Sequence, residues 1–233
     1  MLGIIGAMDI EVDSLKNEME HPQIVKAAGI DFYQGKIHDR EVVVAKCGIG
    51  KVNAAMCAQL LVDNFRIDAI INTGVAGSLN NDIDICDIVV SKTAQEHDMD
   101  VTPLGYEKGI IPDMESSVFV ADASLIGLAK ESAVLAKLNV KVFEGKVVSG
   151  DKFIGTQEAK MRLRTDFIGD CAEMEGAAIG HVATLNNVPF LIIRAISDKA
   201  DGGAEMDYPT FEKKAAANSI ALLNEIIKNY KAE

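Results

Sequence analysis

The chain has 233 residues, of which 48% are hydrophobic and 25% charged, enough apolar material for one large globular domain over 1–233 without disulfides or metal. With 23 Lys and Arg against 35 Asp and Glu, the formal net charge is −12. Such a balance repels polyanions, which excludes nucleic acid and an anionic membrane surface as partners and leaves small ligands.

In chain order, β-branched runs at Leu2–Ile5, Val42–Cys47, Ala69–Asn72, Ile88–Ser91, Val147–Ser149 and Phe190–Ile196 predict strands. Helix-period stretches at Ile10–Met19, Val52–Phe65, Ala123–Leu138, Gln157–Thr165, Glu175–Leu185 and Pro209–Tyr230 lie among them, the last opening on a proline at its first turn. Strands apolar on both faces and alternating with helices imply a mainly parallel sheet covered on both sides. The segment Ile24–His38 reads instead as a hairpin turning at Ala28-Gly29, so the sheet is mixed. The expected fold is therefore a single-domain, three-layer α/β/α with a mixed, mainly parallel central sheet. Cys47, Cys57, Cys86 and Cys171 form no CxxC pair, and MLGIIGAMD has no basic leader region. The least charged stretch, 176–193, is interrupted by His181, Asn186, Asn187 and Pro189 and is too polar to span a bilayer. These features predict a cytoplasmic protein with free thiols.

Ligands in such folds sit outside the carboxyl ends of the strands. The residues expected there are rich in glycine and acid: Gly6 to Glu11, Gly48 to Lys51, Gly74 to Ser78, Gly150 to Phe153, Glu173 to Glu175, and Ser197-Asp198. Gly48-Ile49-Gly50-Lys51 lacks the first glycine and the hydroxyl of a phosphate loop, since Ala45 and Val52 stand at those places, and Asn53 replaces the third glycine of a dinucleotide fingerprint. What remains is a glycine turn at a helix N-terminus, either an approach to a ligand or a structural turn. Ser149-Gly150-Asp151-Lys152 matches S-x-x-K without its companion motifs, and His97-Asp98-Met99-Asp100 has no second histidine at ligand spacing. Singly, Glu11, Glu173, Glu175 and Asp198 are ordinary helix-opening or turn acids. Gathered at one sheet edge, they suit acid–base chemistry on an uncharged, hydroxyl-rich substrate.

Seven stretches, GIIGAMDIEV (3–12), GIGKVNAA (48–55), INTGVAG (71–77), HDMDVT (97–102), VSGDKFI (148–154), EMEGAAI (173–179) and VPFLIIRAISDKAD (188–201), carry a resemblance to the 5′-methylthioadenosine/S-adenosylhomocysteine nucleosidases of the purine nucleoside phosphorylase superfamily. They run in family order over nearly the whole chain. The resemblance implies a nucleoside phosphorylase-like fold and hydrolysis of the N-glycosidic bond of methylthioadenosine, S-adenosylhomocysteine and 5′-deoxyadenosine, with no metal or cofactor. Asp198 corresponds to the acid that protonates purine N7, held by Ser197; Glu11 to the base that activates water; and Glu175 to the acceptor of the ribose hydroxyls. Met174, Phe153, Ile154, Ile49, Met8, Val75 and Glu173 complete the expected substrate pocket, Phe153 stacking on adenine. The resemblance also implies a homodimer, in which Leu104 and Pro112 close the partner's pocket. Two positions depart from the family pattern: Val75 stands where serine is common, and Leu104 where phenylalanine is common. Arg194 matches a family arginine with no assigned contact. The rivals are a nucleoside phosphorylase using phosphate, a hydrolase of aminofutalosine-type nucleosides, and a nucleoside-binding protein without catalysis.

Overall fold

A computed structural model describes residues 1–231. Their strands are β1 (Leu2–Gly6), β2 (Glu20–Ala27), β3 (Ile30–Ile37), β4 (Arg40–Lys46), β5 (Ala69–Ser78), β6 (Ile88–Glu96), β7 (Phe119–Val120), β8 (Val142–Ser149), β9 (Cys171–Glu173) and β10 (Phe190–Asp198). The helices are α1 (Asp9–Glu18), α2 (Lys51–Asn64), α3 (Ala123–Leu135), α4 (Gln157–Phe167), α5 (Gly176–Leu185) and α6 (Ala204–Asn229).

One mixed sheet runs in the order β10-β6-β8-β9-β5-β1-β4-β3-β2, and β10 also pairs with β5. The additional pairing closes β10, β6, β8, β9 and β5 into a ring, from which β1, β4, β3 and β2 extend as an open wing. β1 runs parallel to β4 and β5, and β5 parallel to β10, while β2, β3 and β4 form the antiparallel meander that begins with the hairpin at Ala28-Gly29. Helices α2 and α5 pack together on one side, and α6 lies over β10 and β5 with α1 and α3 beside it on the other, giving three layers. Every residue of β10 is buried, although the strand ends in Arg194, Ser197 and Asp198, so these polar groups must find partners inside the protein.

The structure moves several expected boundaries. The glycine-rich segment 74–78, read from sequence as a loop, is the second half of β5. Asp198 closes β10 rather than following it. Helix α6 begins at Ala204, so Pro209 is an interior residue and not the first turn. Its missing N–H would have met the carbonyl of Glu205 at an exposed turn near the helix start, where the lost bond costs least. Helix α3 ends at Leu135, and Lys137 just beyond it has a left-handed φ of 49°. Strands β7 and β9, two and three residues long, have no counterpart in the expected set because they are too short to show a period.

Candidate active site

At the carboxyl ends of β1, β5, β8, β9 and β10 lies a cavity of about 330 Å³. All eleven residues expected to form the catalytic set and the substrate pocket of one chain line it: Met8, Glu11, Ile49, Val75, Phe153, Ile154, Glu173, Met174, Glu175, Ser197 and Asp198. Leu104, which is 74% exposed on a 3₁₀ turn, and the half-buried Pro112 are not among its lining residues.

Glu11, in the first turn of α1, is folded back onto that turn. Its Oε2 accepts the N–H groups of Ala7 at 2.7 Å and Met8 at 3.0 Å, and its Oε1 accepts the Val75 N–H at 3.2 Å. Three of the carboxylate's roughly four acceptor sites are thereby filled, and one is left to face the cavity. Burial raises the Glu11 pKa, opposed by the Arg194 charge and the three N–H bonds. The raised value makes the carboxylate more basic than an exposed glutamate, while the N–H bonds and the Arg194 charge favour its ionised form.

Asp198 stands on the opposite flank. Its Oδ2 accepts from the Ser197 hydroxyl at 2.9 Å, as expected of Ser197, and its Oδ1 accepts the Ala200 N–H at 2.8 Å. Burial outweighs both bonds and raises the pKa, with Asp201 and Asp207 adding in the same sense, so Asp198 is biased toward its protonated form.

Both carboxyls approach β5 where it has no side chain. A Cβ at Gly74 would meet Glu11 Oε1 at 2.7 Å, and a Cβ at Gly77 would meet Asp198 Oδ1 at 2.8 Å. These glycines stand three positions apart on the strand, about 10 Å along it, and both carboxyls line the one cavity.

Glu175 precedes α5 and reaches across to the glycine turn, where its Oε1 accepts the Gly50 N–H at 2.9 Å. Gly50 takes a φ of 98°, which only glycine adopts without strain. Burial and the neighbouring Glu173 charge push the Glu175 pKa up to about 7, against the pull of Arg194. The next N–H of the turn, that of Lys51, is held by Asp151 Oδ1 at 2.8 Å. This answers the question left open by the glycine turn: its donors serve the protein's own carboxylates. The Lys51 ammonium lies 2.6 Å from both Glu96 and Asp98, which fastens the turn to the end of β6 and ties the carboxylate of the His97-Asp98 pair to a lysine. Among the described residues, no group of three or more His, Cys, Asp or Glu is placed to hold a metal ion.

Glu173 lines the cavity, and its oxygens are held by protein groups. Its oxygens accept from Arg194 Nε at 3.0 Å and Nη2, from the Ser149 hydroxyl, and from the N–H groups of Glu175 and Gly176. So engaged, it opens α5 and neutralises Arg194, which also donates to Asn72 and is only 1% exposed. Arg194 is accordingly the buried counter-charge of Glu173 and, at 3.9 Å, of Glu175. The Val75 N–H that faces the site is committed to Glu11, so valine at this place leaves only an apolar side chain toward the cavity.

Sequence reasoning missed Tyr208, which lines the cavity from the first turns of α6. Its ring meets Phe153 edge-on at 6.0 Å, and its hydroxyl donates to Glu212 at 2.8 Å. The signal was the i, i+4 spacing of Tyr208 and Glu212, hidden by starting the helix at Pro209.

The sequence profile of the phosphorylase superfamily matches residues 1–228. A 5′-methylthioadenosine/S-adenosylhomocysteine nucleosidase of Staphylococcus saprophyticus is 44% identical over 229 residues, covering 98% of this chain and 99% of that protein. Among solved structures, the enzyme of the same description from Neisseria meningitidis, in complex with methylthio-immucillin-A, superposes with a TM-score of 0.94 at 37% identity, covering 98% and 99% of the two chains. A futalosine hydrolase of Helicobacter pylori superposes with a TM-score of 0.93 at 32% identity, covering 98% and 97%. On these matches the chain belongs to the phosphorylase superfamily and, within it, to the 5′-methylthioadenosine/S-adenosylhomocysteine nucleosidase family.

Proposed function

We propose that this chain hydrolyses the N-glycosidic bond of 5′-methylthioadenosine and S-adenosylhomocysteine, and of 5′-deoxyadenosine, releasing adenine and the free sugar. The observation that carries the reading is the pair of carboxyls on one cavity, Glu11 held by three backbone N–H groups near the Arg194 charge and Asp198 held by Ser197 and Ala200 beside the acids Asp201 and Asp207. Adenine leaves poorly as an anion, so Asp198 gives its proton to purine N7 as the C1′–N9 bond lengthens. Positive charge then grows on the ribose, where Glu11 takes a proton from the attacking water on the other face. The Glu175 carboxylate accepts the ribose hydroxyls and stabilises the developing cation. Met174 packs against the sugar, Phe153 stacks on adenine, and Ile154 and Ile49 close the apolar walls.

Hydrolysis is favoured over phosphorolysis by the electrostatics. A phosphate dianion at the glycine turn would meet Glu175 and Asp151, and the neighbouring Arg194 is already paired with Glu173. The exposed apolar residues Ile49, Val52, Met56 and Leu185, which flank the site on the side of α2 and α5, support assembly as a homodimer with Leu104 and Pro112 lent to the partner's pocket. A chain that sediments as a monomer at assay concentration would contradict that assembly. Four free, buried cysteines support a reducing, cytoplasmic setting.

The test is adenine release from methylthioadenosine in phosphate-free buffer, with the sugar product identified. Free methylthioribose is the expected product, and a sugar 1-phosphate or a strict phosphate requirement would overturn the reading. Asp198→Asn should keep the fold and cut turnover by about 10²–10⁴-fold, the range of a positioned acid. Unchanged turnover would remove Asp198 from its role.

A further inference from the structure

Beneath Asp198 lies a lysine that the proposed chemistry does not use. Lys160, in the first turn of α4, is only 3% exposed, and its ammonium donates at 2.7 Å to the backbone carbonyl of Lys199. A buried ammonium is costly to keep, and α4 otherwise turns polar side chains outward, so the position calls for a reason. The carbonyl it holds belongs to the peptide between Lys199 and Ala200. That same peptide carries the Ala200 N–H that donates to Asp198 Oδ1 at 2.8 Å. Ala200 has a left-handed φ of 51°, a conformation disfavoured for any residue with a Cβ, and it is wholly buried with its Cβ set against β5 at Gly77. The turn is pinned from its other side by the Lys199 ammonium, which donates to the Ile83 carbonyl and to Asp84, both at 2.8 Å.

We infer that Lys160 is a positioning residue for Asp198: by gripping the Lys199 carbonyl it holds the strained 198–200 turn so that the Ala200 N–H aims the carboxyl at the purine. The inference rests on the reading of Asp198 as the proton donor. The groups that face this carboxyl are the Ser197 hydroxyl, the Ala200 N–H, the Tyr208 hydroxyl, and the charges of Asp201, Asp207 and Lys160. Of the last three, Lys160 is the one that also holds the backbone of the turn.

The experiment compares Lys160→Met with the unaltered enzyme on two substrates, methylthioadenosine and the 4-nitrophenyl riboside carrying the same 5′-methylthio group. Nitrophenolate leaves without being protonated and so has no need of Asp198. Lys160→Met is expected to lower kcat on methylthioadenosine at least tenfold with little change in KM, and to leave the nitrophenyl substrate within about twofold, a split that damage to the whole site would not produce. Adding Ala200→Gly to Lys160→Met should recover part of the lost kcat, because glycine holds the left-handed turn without an anchor. Equal loss on both substrates, full activity on methylthioadenosine, or no recovery in the double variant would each overturn the inference. If Lys160→Met fails to fold, the same split is read from Lys160→Gln, which keeps a donor but shortens the reach. Asp198→Asn, run alongside, separates the two ideas: if it too spares methylthioadenosine turnover, it is the reading of the acid that has failed.

Discussion

Replacing Gly74 by alanine tests how tightly Glu11, the proposed base, is placed. Gly74 does not have a left-handed φ, so alanine is compatible with its backbone and the effect is steric. The new Cβ would lie 2.7 Å from Glu11 Oε1 and 3.1 Å from Glu11 Cδ, where ordinary contacts begin at 3.4 Å, so the carboxylate must retreat by about 0.7 Å. Arg194 Nη1, at 3.1 Å from the same point, blocks one direction of escape. The bond most exposed to the shift is the longest of the three, from Val75 N–H at 3.2 Å. Loss of that bond strands a buried donor, at a cost of about 1–3 kcal/mol, and overpacking adds a similar amount. For a chain of this size each kcal/mol lowers Tm by roughly 2–4 °C. A displacement near 1 Å in a reacting group costs about 10²-fold in rate. Gly74→Ala should therefore fold, melt several degrees lower, and release adenine about 10²-fold more slowly at saturating methylthioadenosine. Wild-type kcat alongside a lowered Tm would refute the reasoning, because Glu11 would then have moved without consequence.

Two further outcomes follow from the carboxylates around the glycine turn. Glu175 ionises near 7 in the folded chain against 4.5 ordinarily, so its protonated form is favoured by the fold. That contribution to stability is complete below pH 4.5 and is lost as pH rises through about 7. Glu175→Gln, whose amide oxygen can still accept the Gly50 N–H, should flatten the fall in Tm across this window and raise Tm at pH 8 while lowering activity; an unchanged slope counts against it. Glu11 and Asp198 shift in the same direction and leave a residual slope, whereas Glu96, held down near 2 by His181 and Lys51, acts only below the window. Lys51→Met removes a half-buried ammonium from between Glu96 and Asp98 and frees the turn whose Gly50 N–H steers Glu175. Roughly 1.5–3 kcal/mol of stability and a raised KM are expected by thermal melting and steady-state kinetics, and wild-type values of both would show the turn to be held without it.

The alternation of apolar runs with helix-period stretches located the six main strands and the hairpin, because strands buried on both faces and a two-residue turn leave strong local signals. The acids at the sheet edge were legible for the same reason. The second half of β5 was not. Gly74 and Gly77 look like turn punctuation, yet they are strand residues whose missing side chains make room for Glu11 and Asp198, a requirement set by groups far away in sequence. Glu173 was legible as a pocket residue from its place beside Met174, but only the packed structure shows Arg194 and Ser149 taking up its oxygens. Tyr208 was lost to the ordinary rule that a proline starts a helix, and Lys160 to the ordinary rule that helix lysines face solvent.

The loop of strands formed by β10, β6, β8, β9 and β5 has no terminus from which its ladder can unzip, whereas the sheet's far margin is β2, whose residues are nearly all exposed. Fraying should accordingly start in the outer meander and travel inward through β3 and β4 before it reaches β1 and the carboxyl beyond it. Thermal agitation is thus admitted at the margin remote from the cavity, and Glu11 and Asp198 keep their spacing while the periphery breathes.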